Sequence, residues 1–232
     1  MTPPLLVRCA AEVCGTALLV GLGTGAIDAG ADVGGVPQWV LAVAWFFAVL
    51  IPILAFAFVS GSHINPAVTL ALVTSRGFAP RDALPYIAAQ VAGAFAGSVV
   101  VAAVLGTADH LGATLPHHIG LTGVFLLEYF FTLCLILGVL FLTRPREIVR
   151  RWELLLPPAT VAIATFVIGP WTGSSLNPAR TLAPDVLAGV YTGIGVYVAA
   201  TVAAALSGSL LLRLWQWRMA RGSPGRGGTR SP

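Results

Sequence analysis

The sequence predicts an all-α membrane protein: six transmembrane helices plus two re-entrant half-helices, arranged as an inverted repeat. Three observations carry that prediction. Hydrophobic residues make up 57% of the chain and charged residues 9%, with a mean hydropathy of +0.88. That is far more apolar surface than a water-soluble domain can hide. Six separate stretches are long and apolar enough to span a bilayer. Finally, one short motif is written twice, as Ser60-Gly61-Ser62-His63-Ile64-Asn65-Pro66-Ala67 and as Thr172-Gly173-Ser174-Ser175-Leu176-Asn177-Pro178-Ala179.

The six spans run approximately from Leu5 to Ile27, Gln38 to Val59, Leu84 to Leu105, Leu121 to Leu142, Leu154 to Pro170 and Gly189 to Leu212. Arg8 is followed by an apolar run without a clear processing site, so the first stretch reads as a retained span and not a cleaved signal. Loops are short except from His110 to Gly120. These segments form one transmembrane domain over residues 1–214, with halves at about 5–105 and 121–212. From Trp215 to the last residue, 232, the chain is rich in Arg, Gly, Ser and Pro and is expected to be a disordered cytoplasmic tail.

Asn-Pro at the head of a short apolar run reads as a helix start, with Asn as N-cap and Pro pre-set at the first helical position. The runs Pro66 to Arg76 and Pro178 to about Leu187 have only some ten residues each. At ~1.5 Å per residue they cover roughly half of a ~30 Å hydrocarbon core. They are expected to be half-helices whose N-termini meet inside the membrane.

The repeat extends beyond these motifs. Asn177 follows Asn65 by 112 residues, Glu128-x-x-x-Thr132 follows Glu12-x-x-x-Thr16 by 116, and the run from Thr201 to Ser209 resembles the run from Gln90 to Ser98 at an offset of 111. Each unit is three spans plus one half-helix. Three is odd, so the second unit lies upside down relative to the first, and the special site is expected at the midplane between them.

All thirteen basic residues are arginines. Twelve of them fall on one side of a six-span layout, and the opposite loops carry Asp28, Asp32 and Asp109, which puts both termini in the cytoplasm. A nucleic-acid partner is excluded by this arrangement, because the arginines flank the membrane. Arg180 alone breaks the pattern. A charge inside the membrane region is a functional candidate. Cys9, Cys14 and Cys134 lie within apolar spans and read as buried small hydrophobes. No nucleophile–base pair, metal cluster or phosphate loop is visible, so neither an enzyme nor a bound cofactor or metal is expected.

On these residues the chain resembles the aquaporin, or major intrinsic protein, family from Glu12 to about Leu212. Two Asn-Pro-Ala motifs at this spacing within six spans are a specific signal. The resemblance implies a right-handed six-helix bundle, a homotetramer with one pore per subunit, and a place in the plasma membrane. As N-caps, Asn65 and Asn177 would use their side-chain oxygens on their own half-helices. Their amide NH₂ groups would then be free of intramolecular duty and able to donate to a passing water. With the two positive helix ends, they would oppose cations and protons. Arg180 matches the family's selectivity-filter arginine. By spacing within the resemblance, Trp45, Thr165 and Ser174 complete the ring, although a Trp or Thr in a span is also ordinary packing. Thr165 in place of a His, Ser174 in place of a second aromatic, and Thr181 in place of an Asp depart from the family's common patterns. They point to a wider, more polar filter that would pass water and small neutral solutes such as glycerol and undissociated metalloid hydroxides, including arsenite.

Glu12 and Glu128 read in two ways: as structural acceptors for the amides of the re-entrant loops, which lipid would otherwise leave unsatisfied, or as a proton relay. One carboxylate per half favours the former, with Gln90 doing similar work. His63 either lines the vestibule or braces its loop. His110, His117 and His118 fall in the extracellular loop and read as plain loop residues in preference to a metal site, and Arg144 to Arg151 as a solvated loop or a contact for anionic lipid. Gly93-x-x-x-Gly97 permits close helix approach. The expected function is passive permeation. Its rivals are a proton-coupled inverted-repeat transporter working through Glu12 and Glu128, and a poorly conducting structural membrane protein.

Overall fold

A computed structural model describes residues 2–107, 110–143 and 151–222. Eight α-helices are formed among them: α1 (Leu5–Asp32), α2 (Gln38–Ser60), α3 (Pro66–Thr74), α4 (Pro80–Leu105), α5 (Leu121–Leu142), α6 (Leu156–Thr172), α7 (Pro178–Leu187) and α8 (Ile194–Gly222). Short 3₁₀ turns lie at His110–Gly112 and Arg151–Leu155. Six helices are long and apolar enough to cross a membrane. The other two, α3 and α7, have nine and ten residues, about 14–15 Å at the usual helical rise.

The outer face of the bundle is apolar, with Phe58 at 90% and Leu6 at 81% exposure. The charges go the other way. Glu12, Glu128, Arg180 and Asp185 are fully buried. A lipid-facing exterior around a polar centre inverts the pattern of a soluble bundle.

The contacts obey the repeat. Helix α1 packs on α4 and α2, as α5 packs on α8 and α6, and α2 meets α6 across the divide. The half-helices cross over: α3 lies against α8 and α7 against α4, and their tips touch. A Cβ on Gly93 would collide with the Val13 carbonyl oxygen, and one on Gly97 would lie 2.5 Å from the Ala17 carbonyl oxygen. These two glycines therefore set the closeness of α1 and α4.

Three expectations need correction. Helix α8 continues through Gly222, so the stretch from Trp215 to Gly222 is helical and not disordered; residues 223–232 lie outside the described residues. The cause is local: Leu-Trp-Gln-Trp-Arg-Met-Ala contains no Gly or Pro to stop the helix. Cys14 and Cys134 are exposed on the outer face and Cys9 is partly so; an apolar span hides a small side chain from water without burying it in protein. Asp28 is not a loop charge either. Helix α1 runs on past Ile27 to Asp32, which leaves Asp28 at 4% exposure inside the structure. Of the flanking charges expected in loops, Asp109, Arg144, Arg146, Arg150, Arg226 and Arg230 lie outside the described residues.

Candidate functional site: the meeting point of the half-helices

Each half-helix starts as its sequence dictates, with Asn at the N-cap in extended conformation and Pro following. Asn65 Oδ1 accepts from the Ala67 N–H at 2.8 Å, and Asn177 Oδ1 accepts from those of Ala179 at 3.0 Å and Arg180 at 3.4 Å. The amide groups then cross the divide. Asn65 Nδ2 donates to the Leu176 carbonyl and Asn177 Nδ2 to the Ile64 carbonyl, both at 2.9 Å. The expectation that both NH₂ groups are free of intramolecular duty is therefore wrong. An NH₂ has two donors, and in each Asn one of them ties the two re-entrant loops together.

The accepting carbonyls are set by unusual backbone. Ile64 and Leu176 have φ of 44° and 54°, and Ser62 and Ser174 have 46° and 50°. Left-handed backbone at a β-branched residue is costly. It persists only where the surroundings over-determine it, which is typical of functional loops.

Glu12 and Glu128 provide that restraint. Glu12 accepts from Ser60 Oγ at 2.6 Å, the His63 N–H at 2.9 Å, the Ile64 N–H at 2.7 Å and Gln90 Nε2 at 2.8 Å. Glu128 accepts from Thr172 Oγ1 at 2.7 Å, the Ser175 N–H at 3.0 Å and the Leu176 N–H at 2.9 Å. Both carboxylates thus occupy themselves with loop amides that have no water to turn to. Two tyrosines complete the pattern: Tyr86 donates to the Ser60 carbonyl at 2.9 Å and Tyr197 to that of Thr172 at 2.6 Å. The sequence reading missed them, although their 111-residue offset matches that of Gln90 and Thr201. Thr201 itself does not copy Gln90; its hydroxyl turns back to the Tyr197 carbonyl of its own helix.

His63 does both things expected of it as alternatives. It lines the central cavity, and its Nδ1 lies 3.1 Å from Thr69 Oγ1 while its ring packs on Phe78 and Tyr86.

A cavity of about 290 Å³ runs past the tips of both half-helices. It is lined by Asn65 and Asn177, extends on one side to Leu142, Thr143 and Leu154, and reaches Trp45 and Arg180 on the other. Arg180 is wholly buried. Its Nη1 donates to the Gly112 carbonyl at 2.9 Å and its Nη2 to that of Gly173 at 3.3 Å, and its guanidinium carbon stands 4.9 Å from the Trp45 ring centre. Gly23 makes room for that indole, since a Cβ there would lie 2.5 Å from it. Arg180 Nε, Thr165 Oγ1 and Ser174 Oγ are buried without a protein partner. Thr165 and Ser174 do not line the cavity itself. Ser174 follows Gly173, whose carbonyl holds the guanidinium, and the Thr165 carbonyl accepts from Gln38 Nε2 at 2.6 Å.

Such a structure, six crossing helices around a cavity interrupted by two opposed half-helix tips, defines a membrane channel. Residues 2–212 match the family model for the major intrinsic protein, and the chain belongs to that family. Aquaporin NIP1-3 of Oryza sativa subsp. japonica is 33% identical over 91% of this chain and 72% of its own. The glycerol uptake facilitator protein of Pseudomonas aeruginosa is 35% identical over 80% and 75%, and aquaporin AqpM of Methanothermobacter thermautotrophicus is 35% identical over 82% and 87%. Among solved structures, the X-ray structure of the aquaglyceroporin from Plasmodium falciparum aligns with a TM-score of 0.74 at 27% identity, covering 91% of this chain and 95% of that one.

Proposed function

We propose that this chain conducts water and small uncharged solutes, glycerol and undissociated metalloid hydroxides among them, and excludes protons and ions. It does so in the cell membrane as a homotetramer with one pore per subunit and both termini in the cytoplasm. The observation that carries the reading is the position of Arg180, a wholly buried cation against Trp45 at one end of a cavity that both Asn65 and Asn177 line. A fixed positive charge at a constriction repels cations, and its spare N–H donates to the oxygen of a neutral solute. Each Asn keeps one amide N–H beyond its cross-tie. Two such donors beside the converging positive ends of α3 and α7 orient a water at the midplane and oppose passage of hydronium.

In this reading Trp45 and Arg180, which line the cavity, form the selectivity ring together with Thr165 and Ser174, which stand outside that lining with buried hydroxyls that have no protein partner. One aromatic wall and two small hydroxyls in place of bulkier side chains favour a wider passage than water alone needs. The names of two relatives, a glycerol uptake facilitator and an aquaglyceroporin, agree with that breadth. The proton-coupled alternative has less support, because Glu12 and Glu128 are engaged by loop donors and neither lines the cavity. Proteoliposomes given an inward gradient of glycerol or arsenite provide the test. Uptake well above empty liposomes supports the wide filter, and water flux without either solute overturns it.

A further inference from the structure

The loop joining α4 to α5 is held down from both halves of the repeat, and it carries the carbonyl that holds Arg180. His110, Leu111 and Gly112 are consecutive left-handed residues, with φ of 56°, 55° and 60°. This tight coil turns the Gly112 carbonyl toward Arg180 Nη1, 2.9 Å away, and its N–H toward Asp28 Oδ1 of α1, 3.0 Å away. Gly112 is confined as well as left-handed, since a Cβ there would lie 2.9 Å from Thr24 Cβ. Two residues on, Thr114 is caught by α7: Asp185 Oδ1 accepts its N–H at 2.8 Å and Oδ2 its hydroxyl at 2.8 Å. All four groups are buried; Thr114 and Asp185 are at 0% exposure and Asp28 at 4%.

Neither carboxylate is copied by the repeat. At the offsets of the two halves, Asp185 corresponds to Val73 and Asp28 to Arg144, just as Arg180 corresponds to Val68. The carboxylates and the cation therefore occur together, in one half of the molecule's depth and not in the other. We propose that Asp28 and Asp185 are positioning residues for the constriction: they pin the α4–α5 loop at Gly112 and Thr114, and so fix the direction of the Arg180 guanidinium. Neither acid lines the cavity, and the hydrogen bonds of each reach the constriction by way of the loop. The proposal rests on the reading of Arg180 as the selectivity cation.

The test compares Asp28→Ala, Asp28→Asn, Asp185→Ala and Asp185→Asn with Arg180→Ala, all reconstituted in proteoliposomes. Readouts are the ratio of five-carbon polyol to water permeability, and sodium leak. An alanine leaves a loop N–H without an acceptor, whereas an asparagine oxygen still accepts it. The expected result is a polyol-to-water ratio raised about threefold or more in both alanine variants, with return toward the parent value in both asparagine variants and water flux little changed. A ratio unchanged in folded alanine variants overturns the proposal. If Arg180→Ala also leaves the ratio and leak unchanged, the filter reading fails instead. Should the alanine variants not fold, Thr114→Val keeps the backbone tie and loses only the hydroxyl's contacts, to Asp185 at 2.8 Å and Thr181 at 3.2 Å. Hydrogen exchange in that variant must then quicken across 110–114, and equal exchange overturns the proposal.

Discussion

Asn65 and Asn177 bind each other's loops: each donates its side-chain amide, at 2.9 Å, to the carbonyl of the residue preceding the other. The tie is reciprocal because the two half-helices enter from opposite faces, so each tip sees the other's loop in the same orientation. It turns two short helices, too short to be stable alone, into one clasp.

Breaking the clasp separates its two duties. Asn177→Ala removes the cap, about 0.5–2 kcal/mol, and strands the Ile64 carbonyl, about 1–3 kcal/mol more. Asn177→Asp keeps an oxygen for the cap but cannot donate across. Thermal unfolding in detergent should rank the parent above both variants. In the aspartate variant the leak of cations should rise as well, because a negative charge then faces the cavity.

The loop braces differ in load. Glu12 holds four donors and Glu128 three. Each stranded buried donor costs about 1–3 kcal/mol, so both alanine variants should lose most of their folded yield, Glu12→Ala the more severely. Size-exclusion profiles of the solubilised protein decide the order. A proton relay would predict instead a folded protein that has lost only its coupling.

Helix approach is tested by a pair of glycines. Gly93→Ala drives a methyl into the Val13 carbonyl and should cost about 1–3 kcal/mol by overpacking. Gly138 in α5 has nothing within 4 Å of its would-be Cβ. Gly138→Ala should therefore be neutral or stabilise by about 0.5–1 kcal/mol, through helix propensity. Melting temperatures of the two variants give the comparison.

Arg180→Ala removes the buried cation, its two carbonyl contacts and its face on Trp45. Sodium and proton leak should rise above the liposome background, while water still passes. Ion-sensitive dyes inside the vesicles read this directly.

Much of the molecule was legible because its solvent is lipid. Apolar runs must be helices there, and the repeated Asn-Pro marks both half-helix starts without ambiguity. The roles of Glu12 and Glu128 followed from the same rule about unsatisfied amides. What escaped was tertiary. The second duty of Asn65 and Asn177 depends on a neighbour 111 to 113 residues away. Asp28 sits one residue beyond the apolar run, so it read as a loop charge, and Asp185 and Thr114 meet only through the path of the α4–α5 loop. Exposure of Cys14 and Cys134 was hidden because hydropathy does not distinguish a protein neighbour from a lipid one. The helical continuation past Trp215 was masked by the Gly- and Ser-rich composition of the residues that follow it.

The central claim is that solute moves through a fixed passage between the half-helix tips, without a coupled ion. Stopped-flow shrinkage of proteoliposomes, measured at several osmotic steps with and without a transmembrane pH gradient, tests it most directly. The account predicts a rate proportional to the osmotic step, well above empty vesicles and unaffected by the pH gradient. A rate that saturates, follows the pH gradient, or stays at the lipid background would contradict it.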